Sequence, residues 1–385
     1  MWHGGCTIRA FVAGREQTTR DARLEALVTI SCLHAAADTR GARGYKALGH
    51  PPPSDAVLDA LADWLAIAPA ARRHEISRAH DAARAALDAA GRLGLDPLTC
   101  LDTDYPPLLR HITDPPVVLW VRGDRAALSA PAVAIVGARA ATPAGLTVAR
   151  RLGQDLAAAG LVVVSGMARG VDGAAHAGAL AAGGRSVAVL GCGADVVYPR
   201  EHADLAARLA QSGAVLSELP PGAPPLSHHF PLRNRIISGL VRAVVVIEAS
   251  DRSGSLITAK SALEQGRDVL AVPGSVASGR YRGSHALIKD GARLVETVED
   301  VLEELRWQRP VGAGDAAGGD PASPSNNSLH FSDLEERMAP GEAYSVEALA
   351  GETGLPVPAL LAELAHMELA GRVARLGDGS FVRLD

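Results

Sequence analysis

Between residues 131 and 295 the chain keeps returning to one motif: a short, wholly apolar run, a turn rich in small residues, then a stretch with helical spacing. The runs fall at 133–136, 161–164, 186–190, 215–216, 244–247, 269–272 and 293–295, and helical patterns such as 146–159 and 256–264 lie between them. A strand with one face in water alternates apolar and polar residues. A strand that is apolar at every position must be covered on both sides. Helices interleaved with such strands supply that cover, so the pattern predicts an α/β fold: a doubly wound, mostly parallel Rossmann-like sheet with helices on both faces.

The flanks read differently. Residues 1–20 carry no pattern and are expected to form a loose N-terminus. Residues 21–95 are rich in Ala and Leu, with Leu58, Leu61 and Leu65 at helical spacing, and are expected to form a small helical domain. The Rossmann-like core is placed at 96–305, with a further short strand at 117–120. Residues 306–329 are dominated by Gly, Ala, Pro, Asp and Ser and predict a flexible linker. In 330–385, a helix near 331–338, a second capped by Ser345 and a third from Pro356 to Ala370 precede a hairpin over 373–384. Three helices and a hairpin make a winged helix-turn-helix pattern.

Charge narrows the function classes. The net charge of −5 argues against a uniformly basic nucleic-acid binder but leaves room for a local basic groove. Residues 331–385 hold ten acidic and four basic side chains, and the helix over 356–370 carries Glu363 and Glu368 but no Lys or Arg. A helix that reads a major groove brings cations, so this tail is expected to contact protein rather than DNA. Cys6, Cys32, Cys100 and Cys192 are scattered without metal-ligand spacing, which fits a reducing cytoplasm, with no metal and no disulfide. No signal peptide and no membrane span is predicted.

The chemistry-bearing residues sit where apolar runs end. The first run leads into Gly137-Ala138-Arg139, a glycine turn that is neither GxGxxG nor a Walker A loop, so neither a dinucleotide nor ATP is implied and no cofactor is expected. The second leads into Ser165-Gly166-Met167-Ala168-Arg169-Gly170, whose glycines would let backbone amides approach a ligand, and then into Asp172 and His176. Those two share a helix face, as a catalytic dyad without a third member or as an N-cap aspartate bracing a histidine. Phe230-Pro231-Leu232-Arg233-Asn234-Arg235 precedes the run at 244–247, and Ser253-Gly254-Ser255 opens the helix that carries Lys260. Arginines, an aromatic ring and a helix start suit a polyanion with bases; an internal ion-pair network is the competing explanation. If 233–239 is helical, Arg233 and Arg235 cannot both face one groove. One binds and the other braces, with Glu248 or Asp251 as its partner, and the residues alone do not say which.

Taken together, Gly137–Arg139, Ser165–Asp172, Phe230–Arg235, 253–259 and Val272-Pro273-Gly274 resemble the DNA-processing protein A (DprA/Smf) family over about residues 96–305, and the tail is similar to that family's winged helix. The resemblance implies a non-enzymatic, cytoplasmic homodimer. Such a protein binds single-stranded DNA without sequence preference, protects incoming DNA during natural transformation and helps load the RecA recombinase. It further implies a DNA pocket at Arg139, the serine–glycine loop and the 230–235 segment, which with the constellation read from the residues gives a DNA-binding set of Gly137, Arg139, Ser165, Gly166, Arg169, Gly170, Phe230, Arg233, Asn234, Arg235, Ser253, Gly254, Ser255 and Lys260. Two positions depart from the family pattern: Ala138 stands where a serine is usual, and Leu232 where a basic residue is frequent. The alternative is a nucleotide-processing enzyme of the lysine decarboxylase-like (phosphoribohydrolase) type, to which the glycine turns, Asp172 and Glu248 would point.

Overall fold

A computed structural model describes residues 70–308 without interruption, with parts of 24–32 and of 338–383. The expected loose N-terminus, most of the helical domain and the linker beyond residue 308 lie outside the described residues. The chain divides into two units, Met1–Gly314 and Asp315–Asp385.

The first unit begins with α1 (Ala70–Leu93), β1 (Asp96–Thr99), α2 (Pro107–Arg110) and β2 (Val118–Gly123). It continues with β3 (Ala132–Gly137), α3 (Pro143–Ala158), β4 (Val162–Ser165), α4 (Val171–Ala181), β5 (Ser186–Val189), α5 (Ala203–Ser212) and β6 (Ala214–Ser217). Then follow α6 (His229–Gly239), β7 (Ala243–Ile247), α7 (Ser255–Glu264), β8 (Asp268–Ala271), α8 (Arg282–Lys289), β9 (Arg293–Leu294) and α9 (Val298–Glu304). All seven apolar runs form strands within a residue or two of their expected bounds. With β1 and β2 they make one nine-stranded sheet in the order β1-β2-β6-β5-β4-β3-β7-β8-β9. β1 and β2 are antiparallel to their neighbours, and the rest are parallel.

Successive residues of each strand feed opposite faces, as the two-residue period requires. Ala134, Val136, Val164, Val189, Val244 and Val246 pack with Ile236 and Ile237 of α6 and Ala259 and Ala262 of α7. Val133, Ile135, Val163, Val245 and Ile247 pack with Leu152 and Leu156 of α3, Ala175 and Ala179 of α4 and Val301 of α9. Ala83, Ala86 and Ala90 of α1 join the first of these cores, together with β1 and β2. The short strand β1 has no apolar run to announce it; pairing with β2 decides it. The core also extends past residue 305: Trp307 donates its indole N–H to the Ala159 carbonyl at 3.0 Å, so the segment assigned to the linker starts later than its composition indicates.

From β3 the chain winds outward through β4, β5 and β6, then returns to β7 on the other side of β3. The β3/β7 boundary is therefore a topological switch point. There the loops leaving the two carboxyl ends diverge and open a crevice.

In the second unit, β10 (Ala343–Tyr344), β12 (Phe381–Arg383) and β11 (Val373–Arg375) form a three-stranded antiparallel sheet. It accompanies α10 (Val346–Thr353) and α11 (Val357–Leu369). Leu349, Leu360, Leu364, Met367, Val373 and Phe381 make its core. The Ser345 hydroxyl accepts from the Ala348 N–H at 3.2 Å and caps α10.

Candidate functional site

The crevice at the switch point is a cleft of about 640 Å³. Its lining comes from the turn after β3, Ala168 and Asp172 at the start of α4, Tyr198, the loop leading into α6 and α6 itself, the end of β7, the start of α7, and one residue beyond β8, Arg280. Of the residues singled out from the sequence, it gathers Gly137, Arg139, Phe230, Arg233, Asn234, Ser253, Gly254 and Ser255.

Arg139 is exposed and pairs with no carboxylate among the described residues. Its guanidinium carbon lies 5.2 Å from the centroid of the Phe230 ring, and that of Arg233 lies 5.9 Å from it. Tyr198 extends the aromatic surface, its ring 5.6 Å from Phe230. This is a cation–π cluster with one exposed arginine and one fixed by burial.

Arg233 is the fixed one. It is 6 % exposed, and its Nη1 donates to the Val189 carbonyl at 2.6 Å. Burial lowers its pKa, and the nearby Asp172 carboxylate counteracts that. Burial likewise raises the pKa of Asp172, opposed by Arg233 and by the N–H groups of Ala168 and Gly166, which Asp172 accepts at 3.3 and 3.1 Å. Each charge thus keeps the other tolerable inside the protein. Asp172 is neither the N-cap of α4, a place held by Gly170, nor a brace for His176. His176 instead bonds the Ser186 hydroxyl through Nδ1 at 2.7 Å, and burial pushes its pKa down to about 3. The pair is no catalytic dyad.

The glycines of the second turn serve a purpose other than the one expected from sequence. A Cβ on Gly166 would lie 1.8 Å from the Arg233 guanidinium, so this glycine makes room for the buried cation. Gly170 has φ +75°, and a Cβ there would meet the Ala138 and Arg139 carbonyl oxygens at 2.2 and 2.6 Å. It lets the second turn support the first from behind. Neither glycine lines the cleft.

Four other singled-out residues also stand outside it. Ser165 is fully buried and donates to the Ile135 carbonyl at 2.6 Å. Arg169 pairs with Glu201. Lys260 lies on the outer face of α7, 3.9 Å from Glu264. Arg235 donates to Glu218 at 2.7 Å and Asp114 at 3.4 Å, not to Glu248 or Asp251. Burial alone would lower its pKa, yet Glu218 and then Asp114 raise it above the ordinary value. Arg235 is thus a brace tying α6 to the loops after β6 and α2.

Ser253 and Ser255 share a hydroxyl–hydroxyl bond of 2.7 Å at the start of α7, and the Asn234 amide reaches the Gly254 carbonyl at 3.4 Å. The floor of the cleft is Glu248, which sequence reasoning placed elsewhere. It is 1 % exposed with φ +51°, a left-handed conformation uncommon outside glycine. Its carboxylate accepts from the Thr142 N–H at 2.8 Å and the Thr142 hydroxyl at 2.8 Å, at the first turn of α3. The N-cap residue of α3 is thus held by a carboxylate from the same chain. Arg280 Nη1 donates to the Ala140 carbonyl at 2.9 Å and to Glu248 at 3.4 Å. Thr142 and Arg280 are 106 and 32 residues from Glu248, and no local pattern links them. Among the described residues no cluster of His, Cys, Asp or Glu could hold a metal, and no helix is long and apolar enough to cross a membrane.

The chain is similar in sequence and fold to known proteins. The sequence pattern of the family described as DNA recombination-mediator protein A matches residues 96–306, and that of the DprA winged helix domain matches 322–379. The chain is 44 % identical over 283 residues to Protein Smf of Escherichia coli, covering 73 % of this chain and 75 % of that one. It is 48 % identical over 207 residues to the DNA processing protein DprA of Streptococcus pneumoniae, covering 54 % and 73 %. The crystal structure of the Streptococcus pneumoniae protein superposes with a TM-score of 0.53 at 47 % identity, over 55 % of this chain and 74 % of that one. DNA processing protein A of Helicobacter pylori, whose structure is described by its single-stranded DNA binding mode, superposes at 0.50 and 29 % identity, over 56 % and 97 %.

Proposed function

The chain belongs to the DNA recombination-mediator protein A family, and from that premise we propose that its cleft binds single-stranded DNA, independently of sequence, in a DNA-processing role during transformation. The observation that carries this reading is the exposed Arg139 beside the Phe230 ring at the mouth of a cleft whose acids are both buried. An unpaired guanidinium offers bidentate contact to a phosphate. An aromatic surface accepts any base, because every base has a π-face, at about 1–3 kcal/mol per base. Gly137, Asn234, Ser253, Gly254 and Ser255 contribute small or polar contacts along the strand. Arg233 takes part through Phe230 rather than by meeting the strand itself. Arg169 and Lys260, paired with Glu201 and Glu264 outside the cleft, are not assigned a contact with the strand. Ser165, Gly166, Gly170 and Arg235 hold the scaffold.

The protein works without catalysing a reaction of its own. Both carboxylates that a nucleotide-processing enzyme would need are engaged, Asp172 with loop amides and Glu248 with Thr142 and Arg280. Homodimerisation and delivery of the strand to the RecA recombinase complete the proposed role, and the acidic winged helix serves as a contact for protein.

A gel-shift series with single- and double-stranded oligonucleotides of equal length, over a range of salt, tests the reading. The wild type is expected to prefer the single strand and to weaken steeply with salt, because phosphate neutralisation releases counterions. Arg139→Ala should lose most of the binding while keeping its fold. Equal affinity for that variant would refute the assignment. Deleting 331–385 should leave strand affinity unchanged and weaken recombinase binding.

A further inference from the structure

Arg280 projects from the loop between β8 and α8, well away in sequence from every other residue assigned to the cleft. Its side chain is 51 % exposed. Only Nη1 is engaged, by the Ala140 carbonyl and Glu248, while Nε and Nη2 make no hydrogen bond among the described residues. The loop that carries it is pinned at its base. A Cβ on Gly274 would sit 2.3 Å from the Tyr281 ring, that ring stacks on His285 at 6.3 Å, and His285 Nε2 lies 3.1 Å from the Gly274 carbonyl. The guanidinium is therefore delivered to its place by a fixed hinge of packed side chains.

Two features show that it is more than the counter-ion of Glu248. First, the Glu248 carboxylate already has the Thr142 N–H and hydroxyl and the first turn of α3, a set of partners that stabilises an anion without Arg280. Second, the charged residues lining the cleft are Arg139, Asp172, Arg233, Glu248 and Arg280. Asp172, Arg233 and Glu248 are buried, so the two exposed charges are both guanidinium groups. Arg280 bonds the carbonyl of Ala140, the residue next to Arg139. One turn thus carries Arg139 as its own residue and holds Arg280 by the backbone of the next, from 140 positions further along the chain.

We propose that Arg280 is a second phosphate-contacting residue of the cleft, which with Arg139 grips neighbouring phosphates of the bound strand across the Gly137–Ala140 turn. This rests on the reading that the cleft takes single-stranded DNA. Nη1 holds the backbone of the turn, leaving the Nε and Nη2 donors for the ligand. A donor anchored in this way loses little freedom on binding.

The test is fluorescence anisotropy of a labelled oligothymidylate against the full chain across a potassium chloride series, for the wild type, R280Q, R280K and R139A, with the thermal midpoint of each. For R280Q, affinity is expected to fall roughly 3- to 10-fold at about 100 mM salt, and the slope of log K against log salt to become shallower by ~0.7, the value of one single-strand phosphate. R280K should restore the slope, because it restores the charge. A wild-type slope for R280Q alongside lost binding by R139A would overturn the proposal and leave the DNA reading intact. Wild-type binding by both R280Q and R139A would remove the DNA reading itself. A lowered midpoint with reduced affinity and an unchanged slope would make Arg280 a brace for Glu248 and nothing more, which also overturns the proposal.

Discussion

Replacing Arg235 by Gln separates bracing from binding within the one hexapeptide that carries both arginines. Arg235 donates to Glu218 at 2.7 Å, a charge-assisted bond, and to Asp114 at a marginal 3.4 Å. Its side chain is 18 % exposed, that of Glu218 30 % and that of Asp114 52 %. A charge-assisted bond removed from a partly buried site costs about 1.5–3 kcal/mol, and a half-exposed ion pair adds about 0–1. Glu218 remains open enough for water to take over part of the lost solvation, so the ~3–5 kcal/mol of a fully buried orphan charge does not apply. The expected loss is about 2 kcal/mol. With a urea dependence near ~3 kcal/mol per molar, the unfolding midpoint falls by ~0.7 M. Arg235 does not line the cleft, so oligonucleotide affinity, measured where the variant is fully folded, should stay within about two-fold of wild type. Arg139→Ala should show the opposite pair of results. If R235Q kept its urea midpoint and lost DNA binding, the separation of the two arginines would be wrong.

Other perturbations follow from the same geometry. Phe230→Ala should weaken single-strand binding by about 1–3 kcal/mol, read by anisotropy at fixed salt, because the stacking surface is removed. Gly170→Ala places a Cβ against the Ala138 and Arg139 carbonyls at a positive φ, and should lower both the urea midpoint and strand affinity by displacing the Arg139 turn. The depressed pKa of His176, near 3 against the ordinary 6.5, means the unfolded chain binds a proton that the folded one refuses. The stability associated with His176 is complete above about pH 6.5 and declines as pH falls toward 3. That amounts to ~2 kcal/mol between pH 7.5 and 5, to be seen as acid sensitivity in urea unfolding that His176→Gln reduces.

The parallel sheet and its helical cover were legible in the apolar runs, because a strand buried on both faces has few other ways to satisfy its surface. Ser345 announced its helix for a similarly local reason: a cap acts on residues three positions away. The loop tips converge because strands run parallel, and that too follows from the pattern, so the gathering of Arg139, Phe230 and Ser253–Ser255 at one edge could be anticipated. What each charged side chain does once there could not. Arg233 and Arg235 are two residues apart on one helix, yet one rests in the space left by Gly166 and the other reaches Glu218. Their surroundings come from β4, β5 and the loop after β6. Glu248 was given the wrong partner and Arg280 went unassigned, because the residues that Glu248 does meet, Thr142 and Arg280, lie 106 and 32 residues away from it. The sequence by itself determined the strands of the parallel sheet and the helices between them, since burial and local hydrogen bonding act over a few residues, whereas β1 needed its partner β2. Only the tertiary structure decided which cations are committed to carboxylates and which remain available. Electrostatic partnership depends on distance in space, and in a doubly wound sheet the chain sets that distance by a return path no local window contains.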